Sequence, residues 1–327
     1  MTTLTIISII NLIIFYKINN IVKFLNIYDL PNQKRKIHKE KIPKIGGVII
    51  LFNILIIYFL EIFSFELDYF AKINLNILLF GSLLIFLVGL IDDLKDLNPN
   101  LKLFLFSVII ISFLFFEKNL ILSELRFSFI EKNIDLGIFS LLFTAFCILL
   151  FINAINMFDG INLQVISYSS FLFLLNCFYL ENLYLFAIFF PSIIILIVLN
   201  YQNKLFLGDN GSLLIGFLIS CFFIFNYNND KIENSDTIFI FMMLPGLELL
   251  RLAITRILKK RNPFSADDTH IHHLLLKKFK YNSVIMINFM SILIPIFLIF
   301  FTTLSNLFII LMYLIVYLGS IYWLSKY

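Results

Sequence analysis

The chain has 327 residues, 61% of them hydrophobic and 14% charged, with a mean hydropathy of +0.97 and a formal net charge of +4. No soluble domain of this length could hide so much apolar surface, so the composition specifies an integral membrane protein. The basic excess is gathered in two loops, which points to anionic substrates or lipid headgroups and argues against nucleic acid.

Apolar stretches of roughly 17–25 residues recur, each long enough as a helix to cross a ~30 Å hydrocarbon core. Predicted spans lie near 2–22, 46–63, 74–91, 101–116, 137–155, 165–181, 183–200, 211–227, 236–254, 283–301 and 304–324, about eleven in all. Lipid offers no water to exposed backbone, so the fold class is all-α, a polytopic helical bundle forming one membrane-embedded domain over 1–327. The first span has no basic stretch before it; Lys17 comes after the apolar run, the pattern of an anchor and not of a cleaved signal peptide. With the N-terminus outside (periplasmic) and the C-terminus cytoplasmic, twenty basic residues fall inside and five outside, as the positive-inside rule requires. Cys147, Cys177 and Cys221 sit singly inside apolar spans and read as structural thiols.

Five segments assigned to the inner side carry the polar chemistry. The first, residues 26–50, holds Lys34, Arg35, Lys36 and His38 before Gly46-Gly47. A basic anchor for topology explains the charges, while the glycine pair permits close backbone approach. The second places Asp92, Asp93 and Asp96 at the end of the third span, with Asp92 and Asp96 on one helical face. Three adjacent carboxylates suit a divalent cation completed by phosphate oxygens, or else a solvated helix end. In the third, Asn153, Asn156 and Asp159 recur every three residues and line one helical strip closed by Gly160. An Asp centred in lipid costs about 2.5–3.5 kcal/mol on insertion scales and so faces a cavity. The fourth sets Asp209 between Gly208 and Gly211 at a helix start, where free N–H groups suit phosphate. The fifth runs from Arg251 and Arg256 through Pro263-Phe264-Ser265 to Asp268, His270, His272 and His273. No cysteine accompanies these histidines, and the cations and imidazoles suit a nucleotide diphosphate better than zinc.

Taken in this order, the five segments resemble the polyprenyl-phosphate N-acetylhexosamine-1-phosphate transferases, from about Asp29 to His273. LFLGDNGS and PFSADDTHIHH are similar to the WecA/TagO branch of that family. The resemblance implies transfer of a sugar-1-phosphate from a UDP-sugar to undecaprenyl (polyprenyl) phosphate, releasing UMP and initiating cell-envelope glycan synthesis. It implies Mg²⁺ or Mn²⁺ as cofactor and a multi-pass protein of the inner (plasma) membrane with its active site facing the cytoplasm; a homodimer is left open. Catalytic roles then fall on Asp92, Asp93 and Asp159, and the metal on Asp209 with Asp92 or Asp93. Substrate binding falls on Asn153, Asn156, Arg251, Arg256, His270, His272, His273, Lys36, His38, Gly46 and Gly47. The branch usually reads DGIDGL where this chain reads Asp159-Gly160-Ile161-Asn162-Leu163-Gln164. That departure leaves donor identity open, a 6-deoxy sugar such as UDP-QuiNAc or UDP-FucNAc being the alternative. The residues also leave open a covalent route through Asp159. A transporter would place its ionisable groups near the midplane and show inverted repeats, and neither pattern is present in the sequence.

Overall fold

A computed structural model describes residues 2–31, 40–62, 73–260 and 269–326. Lys36 and His38 lie outside the described residues. The helices are α1 (Thr2–Leu25), α2 (Gly46–Ile62), α3 (Leu75–Lys95), α4 (Pro99–Phe116), α5 (Ser140–Phe158), α6 (Gln164–Tyr179) and α7 (Leu183–Tyr201). They continue as α8 (Gly208–Asn228), α9 (Ser235–Phe241), α10 (Met243–Leu258), α11 (Ile271–Leu276), α12 (Tyr281–Phe301) and α13 (Asn306–Ser325). Two small antiparallel hairpins pair β1 (Tyr28–Asp29) with β2 (Ile42–Pro43), and β3 (Glu124–Phe127) with β4 (Ile130–Asp135). The architecture is that of a polytopic membrane helical protein.

Each of the eleven predicted spans coincides with helix. Among the described residues, eight helices are long and apolar enough to cross a membrane, or nine if a bent pair is one span. That pair is α9 and α10, which meet at 79° inside the predicted span 236–254. Pro245 explains the break, because it lacks the N–H that would continue the helical ladder from α9. Two further predicted spans fall on α2, with 17 residues described, and α6, with 16.

Local chemistry sets the helix ends that matter. Asn74 caps α3 by accepting from the amides of Asn76 and Ile77. Asn98 caps α4, with Pro99 at its first position, where no donor is needed. Asp96 leaves α3 in the left-handed region (φ 48°), so it turns away from the face of Asp92 that a continued helix would give it. Alternating chain direction then brings the C-terminal ends of α3 and α5 and the N-terminal ends of α4 and α8 to one end of the bundle.

Helix α8 is the axis of the bundle: 78% of its apolar window is buried, against 17% for α1 and α13. Two pairs of amides buried in the apolar interior bond each other across helices. Asn11 and Asn53 exchange two hydrogen bonds (2.7 and 3.1 Å) between α1 and α2, and Asn226 donates to the Asn176 side-chain oxygen at 2.8 Å. Cys177 and Cys221 are buried free thiols and Cys147 is half-buried.

Close approach of α3 and α8 depends on Gly89. A Cβ there would lie 2.7 Å from Asn210 Cα and 2.9 Å from the Asp209 carbonyl oxygen. Gly89→Ala therefore forces the two helices apart, at about 1–3 kcal/mol for an overpacked core contact. A lowered Tm in detergent is the expected outcome, with Ser82→Ala on the same buried face as a control that leaves helix spacing intact.

Candidate active site

Lys102, in the first turn of α4, is the hub of the site. Its Nζ donates to Asp92 Oδ2 (2.5 Å), to Asp209 Oδ2 (2.7 Å) and, more weakly, to Asn156 Oδ1 (3.4 Å). Asn156 completes the link by donating to Asp209 Oδ1 at 3.0 Å and to the Ser212 hydroxyl at 2.9 Å. The free Leu97 amide at the end of α3 donates to Asp92 Oδ1 at 2.8 Å. Four helices thus meet through one ammonium and two carboxylates.

Asp93 points the other way. Its Oδ2 accepts from the Asn210 amide (2.9 Å) and side chain (2.6 Å), and the carboxylate is 1% exposed. The anion at the start of α8 is therefore Asp93, which takes the role the sequence suggested for phosphate. Lys44 lies 3.4 Å from Asp93 Oδ1 and 3.3 Å from Asp29. It is placed by the β1–β2 hairpin, which docks on the loop before α8: Phe206 N donates to Pro43 O, and Gly46 N to Phe206 O. Burial would lower the Lys44 pKa, but the charges of Asp93, Asp29 and Asp209 outweigh it and raise it.

A cleft of about 1200 Å³ opens beside this network. Asp29, Lys44, Asp93, Asp159, Lys204 and Asp209 line it, together with Asn162, His273 and Tyr281. Asp159 caps the end of α5 and is half-buried. Loss of water, with the negative charges of Asp209 and Asp93 nearby, pushes its carboxyl up to about 8 despite Lys44. Ligand-free Asp159 is therefore mostly protonated at pH 7. In the turn that follows, Asn162 donates to Asn200 O (2.8 Å) and Asn203 Oδ1 (2.7 Å), and Leu163 adopts φ 67° while donating to Asn200 Oδ1.

Of the predicted site residues, the structure brings Asp92, Asn156 and Asp209 together around Lys102 and sets Asp159 and His273 on the same cleft. The structure places several others elsewhere. Asn153 donates to its own helix at Leu149 O (2.7 Å) instead of entering the cleft. Gly46 and Gly47 pack against Leu207 and Asn210, so their small size serves the α2–α8 contact. Arg251 binds Glu248, Tyr317 OH and Thr269 O, and Arg256 is 2% exposed, which withdraws both from the cleft wall. His270 and His272 are buried, and the His272 ring sits where a Cβ on Gly160 would go. Burial, with His273 and His270 adjacent, holds His272 well below the usual imidazole range, so it is neutral at pH 7. Among the described residues no group of three or more His, Cys, Asp or Glu side chains converges as a ready metal cage.

Sequence reasoning missed Lys102, counting it only toward topology. One signal was available: a lysine in the first turn of a helix opposes the helix dipole and calls for an acidic partner.

Residues 75–227 match the model of glycosyl transferase family 4. That stretch holds Asp92, Lys102, Asn156, Asp159 and Asp209, the residues that build the hub and the cleft floor. The match covers just under half of the chain. The chain is similar to the undecaprenyl-phosphate alpha-N-acetylglucosaminyl 1-phosphate transferase of Escherichia coli (strain K12), 27% identical over 270 residues, covering 79% of this chain and 71% of that one. Proteins of the same name from Yersinia pestis and Thermotoga maritima are each 28% identical, over 77% and 75% of this chain and 70% and 71% of theirs. The hub is thus assembled wholly inside the matched region, whereas the histidine segment lies beyond it.

Two outcomes follow from the geometry. Lys102→Met leaves two facing carboxylates without their cation, a loss of about 3–5 kcal/mol for breaking a buried pair. Adding Asp92→Asn should restore part of it, so the double variant unfolds at a higher temperature than Lys102→Met; strictly additive losses would refute the hub. For Asp159 the folded pKa lies above its unfolded value near 4, so ionisation disfavours the fold as pH rises from about 4 to about 8. In EDTA, Asp159→Asn should raise Tm at pH 9 and leave it unchanged at pH 4.

Proposed function

We propose that this protein transfers an N-acetylhexosamine-1-phosphate from a UDP-sugar to polyprenyl phosphate, giving a polyprenyl-diphospho-sugar and UMP. The observation that carries this reading is the Asp92–Lys102–Asn156–Asp209 hub beside a large cleft lined by both signs of charge. The similarity of residues 75–227 to the glycosyl transferase family 4 model and the names of the similar proteins support it. Those names point to N-acetylglucosamine as donor sugar and give no support to a 6-deoxy donor. The positive-inside asymmetry supports a plasma-membrane protein with this end of the bundle in the cytoplasm.

In the reaction, an oxygen of the lipid phosphate forms a bond to the phosphorus bearing the sugar. The bond from that phosphorus to the bridging oxygen breaks, and the electrons leave with UMP. One phosphoanhydride replaces another, so positioning and charge neutralisation dominate. A lipid phosphate with a second pKa near ~6 is mostly dianionic at pH 7 and attacks without a general base. A protonated Asp159 on the cleft is consistent with that economy. Asp92 and Lys102 fix the orientation of Asp209, and Lys44 and Lys204 provide positive charge along the cleft.

The donor set fits Mg²⁺, or Mn²⁺ in its place. All the oxygens are hard, and the Asp209 carboxylate is 36% exposed, whereas Asp92 and Asp93 are at 10% and 1%. Mg²⁺ is commonly held by one or two carboxylates and completed by substrate phosphates. Asp209 would hold it, with Asp92 next in reach across Lys102. When bound, the ion neutralises charge on the diphosphate.

Membranes containing the protein, given undecaprenyl phosphate, UDP-GlcNAc and Mg²⁺, should release UMP. EDTA should abolish release, and Asp209→Asn should lower it by at least about 100-fold, the scale of losing one electrostatic anchor in a polar site. Folded protein that is silent with UDP-GlcNAc, UDP-GalNAc and 6-deoxy donors alike would refute the transferase reading.

A further inference from the structure

The segment 269–279 carries all three clustered histidines, yet it has little means of holding its own shape. Its helix α11 has six residues and no side-chain N-cap, far short of what a helix needs to be stable alone. Its order comes from outside, and both points of attachment involve α13.

The first attachment is a buried polar cluster. Glu248 Oε1, from α10, accepts from the Ile271 amide at 2.7 Å and so caps α11 from another helix. Arg251 donates to the same carboxylate and, through Nη2, to Thr269 O at 2.7 Å. Tyr317, from α13, donates to Glu248 Oε2 at 2.5 Å and lies 3.1 Å from Arg251 Nε. Glu248 and Tyr317 are 2% and 4% exposed. The second attachment is at the other end of the segment. Lys278 lies 3.5 Å from the centre of the Trp323 ring and donates to Trp323 O at 3.1 Å, with the Phe279 ring beside it. Between the two grips, His273 faces the cleft and His272 rests on Gly160.

A buried ion pair is a poor source of stability, since apolar side chains of similar volume often do as well or better. What such a cluster does supply is a single geometry. We propose that α13 clamps the histidine segment at both ends, with Tyr317 as the positioning residue that sets His273 at the cleft for the donor nucleotide. The proposal rests on the reading of the cleft as a UDP-sugar site. Tyr317 touches no reacting atom in this scheme; it acts through Glu248 and the Ile271 amide.

Tyr317→Phe removes one hydroxyl and keeps the ring, so the helix packing survives. Hydrogen exchange in 269–276 should speed up, and the KM for UDP-GlcNAc should rise about tenfold, the scale of one hydrogen bond to a charged group. kcat and the KM for polyprenyl phosphate should stay within about twofold, since Tyr317 is buried and does not line the cleft. Tyr313→Phe, the same change one turn earlier on α13, should leave exchange and both KM values as in wild type. Trp323 is the only tryptophan of the chain, so its fluorescence reports UDP-GlcNAc binding at the second grip without turnover. Unchanged exchange and donor KM in Tyr317→Phe would overturn the clamp. So would equal losses for both substrates, or an equal effect of Tyr313→Phe, either of which marks a general packing defect. If wild-type protein neither binds nor turns over any UDP-sugar, the donor reading falls on its own. The exchange data then still decide whether Tyr317 holds the segment.

Discussion

The ammonium of Lys102 between Asp92 and Asp209 is the constraint on which the rest of the site depends. Two carboxylates drawn together at the edge of an apolar bundle repel strongly, because the surroundings screen them far less than water does. A cation shared between them turns that repulsion into a bond linking the end of α3, the start of α4 and the start of α8. Asn156 extends it to α5 through Asp209 and Ser212. Each helix end is fixed by charge, while its length is fixed by apolar packing around α8.

Around this hub the polar residues divide into two populations. Asn153, Arg251, Arg256 and the buried histidines belong to the surrounding framework, where they secure one element to another or are enclosed by their neighbours, and Asp93 joins that framework to the cleft. Asp159, Asp209, Lys44, Lys204 and His273 belong to the cleft. The framework makes the cleft rigid: Asp93 satisfies the start of α8, and Glu248 satisfies the start of α11. Both helix starts are thus neutralised by protein carboxylates, which leaves ligand recognition to side chains.

Much of this was legible in the sequence, for physical reasons that can be named. Apolar runs located all eleven helical segments, because hydrocarbon thickness dictates their length. Counting spans gathered Asp92, Asp159 and Asp209 at one end, since alternation of chain direction admits no other placement. Periodicity said less about which polar side chain faces the cleft. Asn153 and Asn156 share a strip, yet only Asn156 reaches Asp209, because Asn153 lies a turn deeper and bonds Leu149 O. Arg251 looked like a phosphate ligand although Glu248, three residues before it, already offered a carboxylate on the same helical face; only Tyr317, 66 residues away, lay beyond any local pattern. The bend at Met242 was invisible to hydropathy, which averages over the break that Pro245 makes.

The paired asparagines bear on how such a bundle is built. Asn11, Asn53 and Asn176 each also donate to a carbonyl one turn back in their own helix, at Ile7, Ile49 and Leu172. A lone helix can thus enter the bilayer with part of each amide already satisfied, before any neighbour is present. Docking supplies the rest, and only at the register where the two amides meet. The same few residues therefore make insertion tolerable and later select the mating register, separating in time two steps that an apolar sequence alone would leave undirected.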